Sequence, residues 1–112
     1  KTVGEMKTKP TQFAVRTLNS SGIQPDILLC RSEREVDEKR KEKLSIFCNI
    51  PKDRIISAPD VDSVYDIAIN FKKGNLDDRL IDILKLRKKK GNNDLILWEE
   101  LSNKIKNLKD NF

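Results

Sequence analysis

Lys7 and Lys9 stand two residues apart, just ahead of Pro10 and a stretch with helical spacing. In an extended segment, alternate side chains share a face, so the two ammonium groups would project together. Paired cations ahead of a helix N-terminus form a ready site for a polyphosphate, because unpaired N–H groups and the helix dipole add to their charge. A solvated loop whose lysines keep the protein in solution fits the same residues equally well.

The other candidates for chemistry are few. The chain has no histidine, so the commonest general base is missing, and neither Cys30 nor Cys48 has an activating partner close in sequence. Two cysteines without a CxxC pair, each inside an apolar run, argue against a zinc site and for buried thiols in a reducing compartment. Two pairs of carboxylates could hold a metal. Asp77 and Asp78 are adjacent on an expected helix and diverge, so a helix-dipole role is favoured for them. Asp60 and Asp62 would point the same way in an extended segment, and turn or cap roles are favoured there too. These residues give no catalytic assignment and no metal site.

Composition sets the outer limits. The 112 residues fit one domain or part of one, and charged residues make up 37% of them, well above the usual quarter. Both signs are abundant, which describes solvated helix faces rather than disorder. The net charge of +5 suits an anionic ligand without choosing among nucleotide, nucleic acid and membrane surface. No apolar stretch approaches 18 residues and no signal-peptide pattern opens the chain, so a soluble, cytoplasmic protein is expected.

The elements that would position these residues read as α/β. A helix is expected from Pro10 to Ser21, with Lys9 extended before the proline and Gly22 closing the helix. Ile27 to Cys30 is a continuous apolar run between Pro25-Asp26 and Arg31-Ser32, as in a strand buried on both faces. A helix follows, capped by Ser32 with Glu35 or by Asp37, with Leu44, Phe47 and Cys48 as its apolar stripe and Cys48 near its end. Arg54 to Ser57 reads as the next strand. Strand, helix, strand in this order implies a parallel unit.

The remainder reads as helical. Leu76, Leu80, Ile83 and Leu84 define one helix, with Lys85 to Lys90 at its C-terminal end and Gly91 stopping it. Trp98, Leu101, Ile105 and Leu108 define another. Two strands cannot make a self-contained α/β sheet, so the chain reads as part of a larger domain.

Lys7-Thr8-Lys9-Pro10-Thr11-Gln12 resembles the KTKPTQ signature of the CTP synthase family. At the family's spacing follow Ser21-Gly22-Ile23-Gln24-Pro25-Asp26, Leu28-Leu29-Cys30-Arg31-Ser32, Phe47-Cys48-Asn49-Ile50-Pro51 and Asp60-Val61-Asp62-Ser63-Val64-Tyr65. The likeness runs without a gap from about Gly4 to Asp78 and weakens beyond. Five ordered blocks make it highly specific.

The resemblance implies a reaction in which ATP phosphorylates O4 of UTP and ammonia from glutamine displaces the phosphate to give CTP. It implies UTP and CTP contacts at Lys7, Thr8, Lys9, Pro10, Thr11 and Gln12, with the lysines on the triphosphate, and another at Lys43. It places Arg31, Asp60 and Val61 on the ATP side. Pro59 stands where many relatives carry a lysine or arginine, and Phe13 where histidine or asparagine is common, so polar contacts at those two positions are lost.

The implied fold is the C-terminal part of a Rossmann-like P-loop domain, similar to dethiobiotin synthetase, ending in helices. Residues 1–91 would form the C-terminal portion of the amidoligase domain, and 92–112 a terminal helix leading to the linker before a glutaminase domain. The Gly-rich phosphate loop and the acidic residues that hold Mg2+ belong to the family's first half, so the span alone is expected to be inactive. The whole enzyme is expected to use ATP and Mg2+ and to be a homotetramer with neither nucleic acid nor membrane as partner. Against this stand a nucleic-acid-binding module, suggested by Arg87-Lys88-Lys89-Lys90, and a non-catalytic interaction domain. The low aromatic share, 5%, offers no evident stacking platform to a single strand.

Overall fold

The computed structural model describes residues 7–89 and 94–110. They form two compact units that divide after Asp60. Gly91 and the Asn92-Asn93 break, on which one expected helix stop rests, lie outside the described residues, as do Gly4 to Met6 and Lys90.

The first unit is built around two parallel strands. Helix α1 spans Lys9–Ser20, strand β1 Leu28–Ser32, helix α2 Glu38–Cys48 and strand β2 Ile55–Pro59, with a short 3₁₀ turn at Lys52–Arg54. Leu28 pairs with Ile55 and Ser32 with Pro59, which is the parallel register expected of a strand–helix–strand unit. Val15 from α1, Leu44 and Cys48 from α2, Cys30 and Ile55 from the strands, and Val36 and Ile50 from the connections form one apolar core.

Local chemistry explains the boundaries. Asp37 is the N-cap of α2 and accepts a bond from the Arg40 N–H at 2.8 Å, while Ser32 turns away to donate to the Arg34 carbonyl. Asn49 ends α2 in the left-handed region, with φ 53°, where a short polar side chain is tolerated. Gln24 then donates to the carbonyls of Cys48 and Asn49 at 3.1 and 3.2 Å, tying the approach to β1 to the end of α2. Gly22 follows α1 with φ 79°, as the sequence implies.

Three expectations are corrected here. Lys9 is helical rather than extended: α1 starts one residue before the proline, and a Pro in the first turn lacks only an N–H that has no partner there. β1 is not buried on both faces, because Leu29 is 50% exposed while its neighbour Cys30 is enclosed. Phe47 leaves the expected stripe of α2 and is exposed, since the helix turns Leu44 and Cys48 inward, four residues apart.

Burial pushes the Cys30 and Cys48 thiols up from their ordinary range, and at Cys30 the nearby Cys48 adds to the effect. Both should therefore resist Ellman's reagent at pH 8 in the native state and react fully in denaturant. Rapid native labelling would contradict the packing described.

Among the described residues the second unit holds three helices, α3 at Asp66–Lys73, α4 at Leu76–Ile83 and α5 at Asp94–Asp110. Helix α4 is shorter than the sequence suggests. It closes after Ile83, with Lys85 at φ 53° and the Leu86 N–H bonded to the Ile81 carbonyl at 3.0 Å, so the basic run follows the helix instead of ending it. Asp77 and Asp78 do lie in the first turn of α4, and they pair with Lys72 at 2.5 Å and Lys88 at 2.6 Å.

Helix α5 is also turned from the expected face. Leu101 and Leu108 are exposed, and Ser102, at 1% exposure, is its most enclosed residue. Trp98, Ser102 and Lys106 recur every four residues and face the start of α3. The Trp98 indole N–H donates to the Tyr65 carbonyl at 2.6 Å, and the two rings meet at 5.5 Å. The Ser102 hydroxyl donates to one Asp66 oxygen, and the Lys106 ammonium lies 3.1 Å from the other.

The Ser102 hydroxyl first, and the Lys106 ammonium after it, hold the Asp66 carboxyl below the usual aspartate range. Its folded pKa is therefore lower than its unfolded one. The contribution to stability is complete above the ordinary value of about 4 and is lost as pH falls through the folded value. Trp98 is the only tryptophan, so its emission reports on this contact. An acid titration should show a transition below about pH 4 that Asp66→Asn removes. An identical titration in the variant would contradict the assignment.

Candidate functional site

The signature residues lie where the chain enters α1. Lys7 precedes the helix and is exposed, Thr8 is its N-cap position and is buried, and Lys9 is its first residue and exposed. Thr8 does not cap through its side chain. Instead its Oγ1 accepts a bond from Gln12 Nε2 at 3.1 Å, and its carbonyl accepts the Gln12 N–H at 3.0 Å. Thr8 and Gln12 thus clasp one turn from both backbone and side chain. That clasp fixes the turn while leaving Lys7 and Lys9 in solvent.

Because Lys9 is helical, the two lysines do not share a face by strand alternation. What they share is the helix entrance. There the first N–H groups of a helix have no intrahelical acceptor, and Pro10 removes one of them without loss. Thr11 and Pro10, with Ala14, Val15 and Leu18, also line an apolar groove of about 490 Å³ between α1 and β1, closed on the other side by Pro25 and Ile27 to Leu29. Lys43 lies on the exposed side of α2, beside buried Leu44, and α2 packs against α1.

Arg31 and Asp60 meet at the carboxyl ends of the two strands. Arg31 Nη2 lies 2.8 Å from Asp60 Oδ1, and Nη1 donates to the carbonyls of Ala58 and Pro59 at 3.3 and 3.4 Å. The Asp60 N–H bonds to the Ser32 carbonyl at 3.0 Å, carrying the strand ladder one step further. Sequence reasoning named Arg31 and Asp60 separately and missed their pairing, since they stand 29 positions apart. The carboxyl edge of a parallel sheet is where open α/β folds place ligands. Both side chains are largely exposed, so the pair itself adds little to stability and is free to be drawn into ligand contacts.

Val61 opens the second unit and is half-buried. The run Val61–Tyr65 that follows is held by short-range bonds, from the Asp66 N–H to Ser63 O at 3.0 Å and from the Tyr65 N–H to Ser63 Oγ at 3.4 Å. Among the described residues no three carboxylates or thiols gather closely enough to hold a metal ion. None of the described helices is long and apolar enough to cross a membrane. In the basic run after α4, Lys88 is already engaged by Asp78, which reduces the charge available to a polyanion.

The sequence profile described as "CTP synthase N-terminus" matches residues 1–86. The chain belongs to that family. A CTP synthase from Hydrogenobaculum sp. (strain Y04AAS1) is 46% identical over 107 residues, which cover 96% of this chain and 20% of that protein. The CTP synthase of Synechococcus sp. (strain RCC307) is 43% identical over 95% of this chain and 19% of its own length. The CTP synthase of Methanococcus aeolicus is 41% identical over 96% of this chain and 20% of its own length. The chain thus spans about a fifth of the length of the curated relatives it matches.

Proposed function

We propose that the chain is the nucleotide-holding part of a CTP synthase, supplying the UTP and CTP triphosphate contacts and an ATP-side segment. The observation that carries this reading is the family match over a span in which the KTKPTQ residues occupy a helix entrance. Lys7 and Lys9 bind the triphosphate of UTP by charge-assisted hydrogen bonds, with Lys43 as a further cation. The Thr8–Gln12 clasp fixes the turn, and Thr11 and Pro10 shape its apolar side. CTP carries the same triphosphate and occupies the same residues. Arg31, Asp60 and Val61 serve ATP.

In the whole enzyme the uracil O4 attacks the γ-phosphorus of ATP, ADP leaves, and ammonia released from glutamine adds at C4 and expels inorganic phosphate. This chain's residues orient UTP for that attack and restrain its triphosphate. Acidic residues of the amidoligase domain outside this span would hold Mg2+, since no three of the described carboxylates gather closely enough to hold a metal ion. The Rossmann-like P-loop architecture, the phosphate loop, the glutaminase domain and the homotetramer belong to the same reading. So do the division at residues 91 and 92 and a cytoplasmic location.

The oxygen bookkeeping tests it. UTP labelled with ¹⁸O at C4, incubated with the full-length protein, ATP, Mg2+ and glutamine, should yield CTP and inorganic phosphate carrying the label. Label released to water, or no CTP formed, would overturn the assignment.

A further inference from the structure

The second unit carries a device that the reading above does not use. Helix α5 places Trp98, Ser102 and Lys106 against the junction between the Val61–Tyr65 run and α3, four residues beyond Val61. We propose that α5 is the brace of the ATP-side segment, with Trp98 and Ser102 as positioning residues that set how well Val61 is presented to ATP. The proposal rests on the reading of Val61 as an ATP-side residue.

The geometry argues for a brace rather than for ordinary helix packing. Where α5 meets α3, its most enclosed position is a serine, not an apolar residue, and its hydroxyl is directed at a carboxylate. A buried hydroxyl left without a partner is costly, so Ser102 defines one position for Asp66 where leucine would allow several. Trp98 adds a second fixed point one residue earlier. Its N–H bonds to a backbone carbonyl, that of Tyr65, and so constrains the main chain itself, while the tilted ring contact fixes the Tyr65 side chain. The third point is the Lys106 ammonium on the far Asp66 oxygen, which is only 13% exposed as a side chain.

The segment being held needs such support. Tyr65 occupies the N-cap position of α3 without a side-chain cap bond, and Val64 is exposed. Its turn bonds, including the Ile67 N–H to the Val64 carbonyl at 3.3 Å, connect residues only two or three apart. Such bonds set the shape of the run but not where it sits on the unit. The ties from α5 span more than thirty residues of sequence and supply that placement. Small displacements of a substrate-positioning segment are felt strongly in binding and catalysis.

The test is steady-state kinetics of the full-length protein carrying Trp98→Phe with Ser102→Ala, varying ATP at saturating UTP and then UTP at saturating ATP. The Phe ring keeps the packing and deletes the N–H, and Ala deletes the hydroxyl. KM for ATP should rise about five- to twenty-fold, with kcat and KM for UTP within about twofold. A fall in kcat with both KM values unchanged would show a folding role only and overturn the proposal, as would an equal rise in both KM values. Lys106→Ala, milder and more exposed, should raise KM for ATP alone by about two- to threefold, and an unchanged value would count against the brace. Val61→Asp separates the two readings. If it leaves KM for ATP unchanged, the assignment of Val61 fails and the brace with it. If it raises KM for ATP while the double variant does not, the brace alone fails.

Discussion

A double replacement of Lys7 and Lys9 by alanine is expected to raise the KM for UTP of the full-length protein at least about a hundredfold. Each hydrogen bond to a charged group contributes about 1.5–3 kcal/mol, and every 1.4 kcal/mol is a factor of ten. Both side chains are exposed and stand outside the core, so the folded state should be unaffected. Loss of either lysine alone should give roughly ten- to hundredfold. Inhibition by CTP should weaken in parallel, because the two nucleotides share the triphosphate. Arginine at the same positions should restore only part of the affinity, since its planar fork presents donors differently from an ammonium. A double variant with an unaltered KM for UTP would remove the signature lysines from the site.

The second large effect concerns the scaffold. Ile55→Ala should destabilise the chain by about 3 kcal/mol, within the range for truncating a buried isoleucine. Ile55 is 2% exposed, pairs with Leu28 across the sheet, and joins the core with Cys48 and Ile50. Leu29→Ala, one residue along β1 on the other face, should change stability by less than about 1 kcal/mol, because Leu29 already meets solvent. Urea unfolding followed by far-ultraviolet circular dichroism would compare them. Similar losses in both variants would contradict the sidedness of the sheet.

The contrast between Ile55 and Leu29 also shows what sequence can convey. The apolar run Ile27 to Cys30 announces a strand, since its length and its flanking turn residues are local signals. Which of its residues are covered depends on what packs there, and no local pattern carries that. Asp37 as one of two possible caps, Gly22 after α1 and the parallel pairing were readable for the same local reason. The end of α4 was not. Lys85 takes a left-handed conformation that glycine or asparagine usually marks, so leucine and lysine spacing carries the expected helix past its real end. Helix α3 escaped delineation although Gly74 marks its end and Asp66 its start.

The site divides in the same way. A contiguous hexapeptide marks the turn proposed to bind the triphosphate, and chain order alone is enough to find it. The clasp of Gln12 on Thr8 is a consequence of helical spacing, four residues apart, and was open to inference. The Arg31–Asp60 pair and the Ser102–Asp66 contact join residues 29 and 36 positions apart. Nothing in a single sequence couples them. Ser102 in particular reads as a polar interruption of the apolar stripe on α5, and only the fold shows that the interruption is what α3 receives.

The most direct test of the central claim is calorimetric titration of the 112-residue chain, shown to be folded by circular dichroism, with UTP and then with CTP. Each nucleotide is expected to bind, saturation with one to abolish the heat of the other, and Lys7→Ala and Lys9→Ala to weaken both together. Heats no larger than dilution, or binding of the two nucleotides independent of each other and of the lysines, would contradict it.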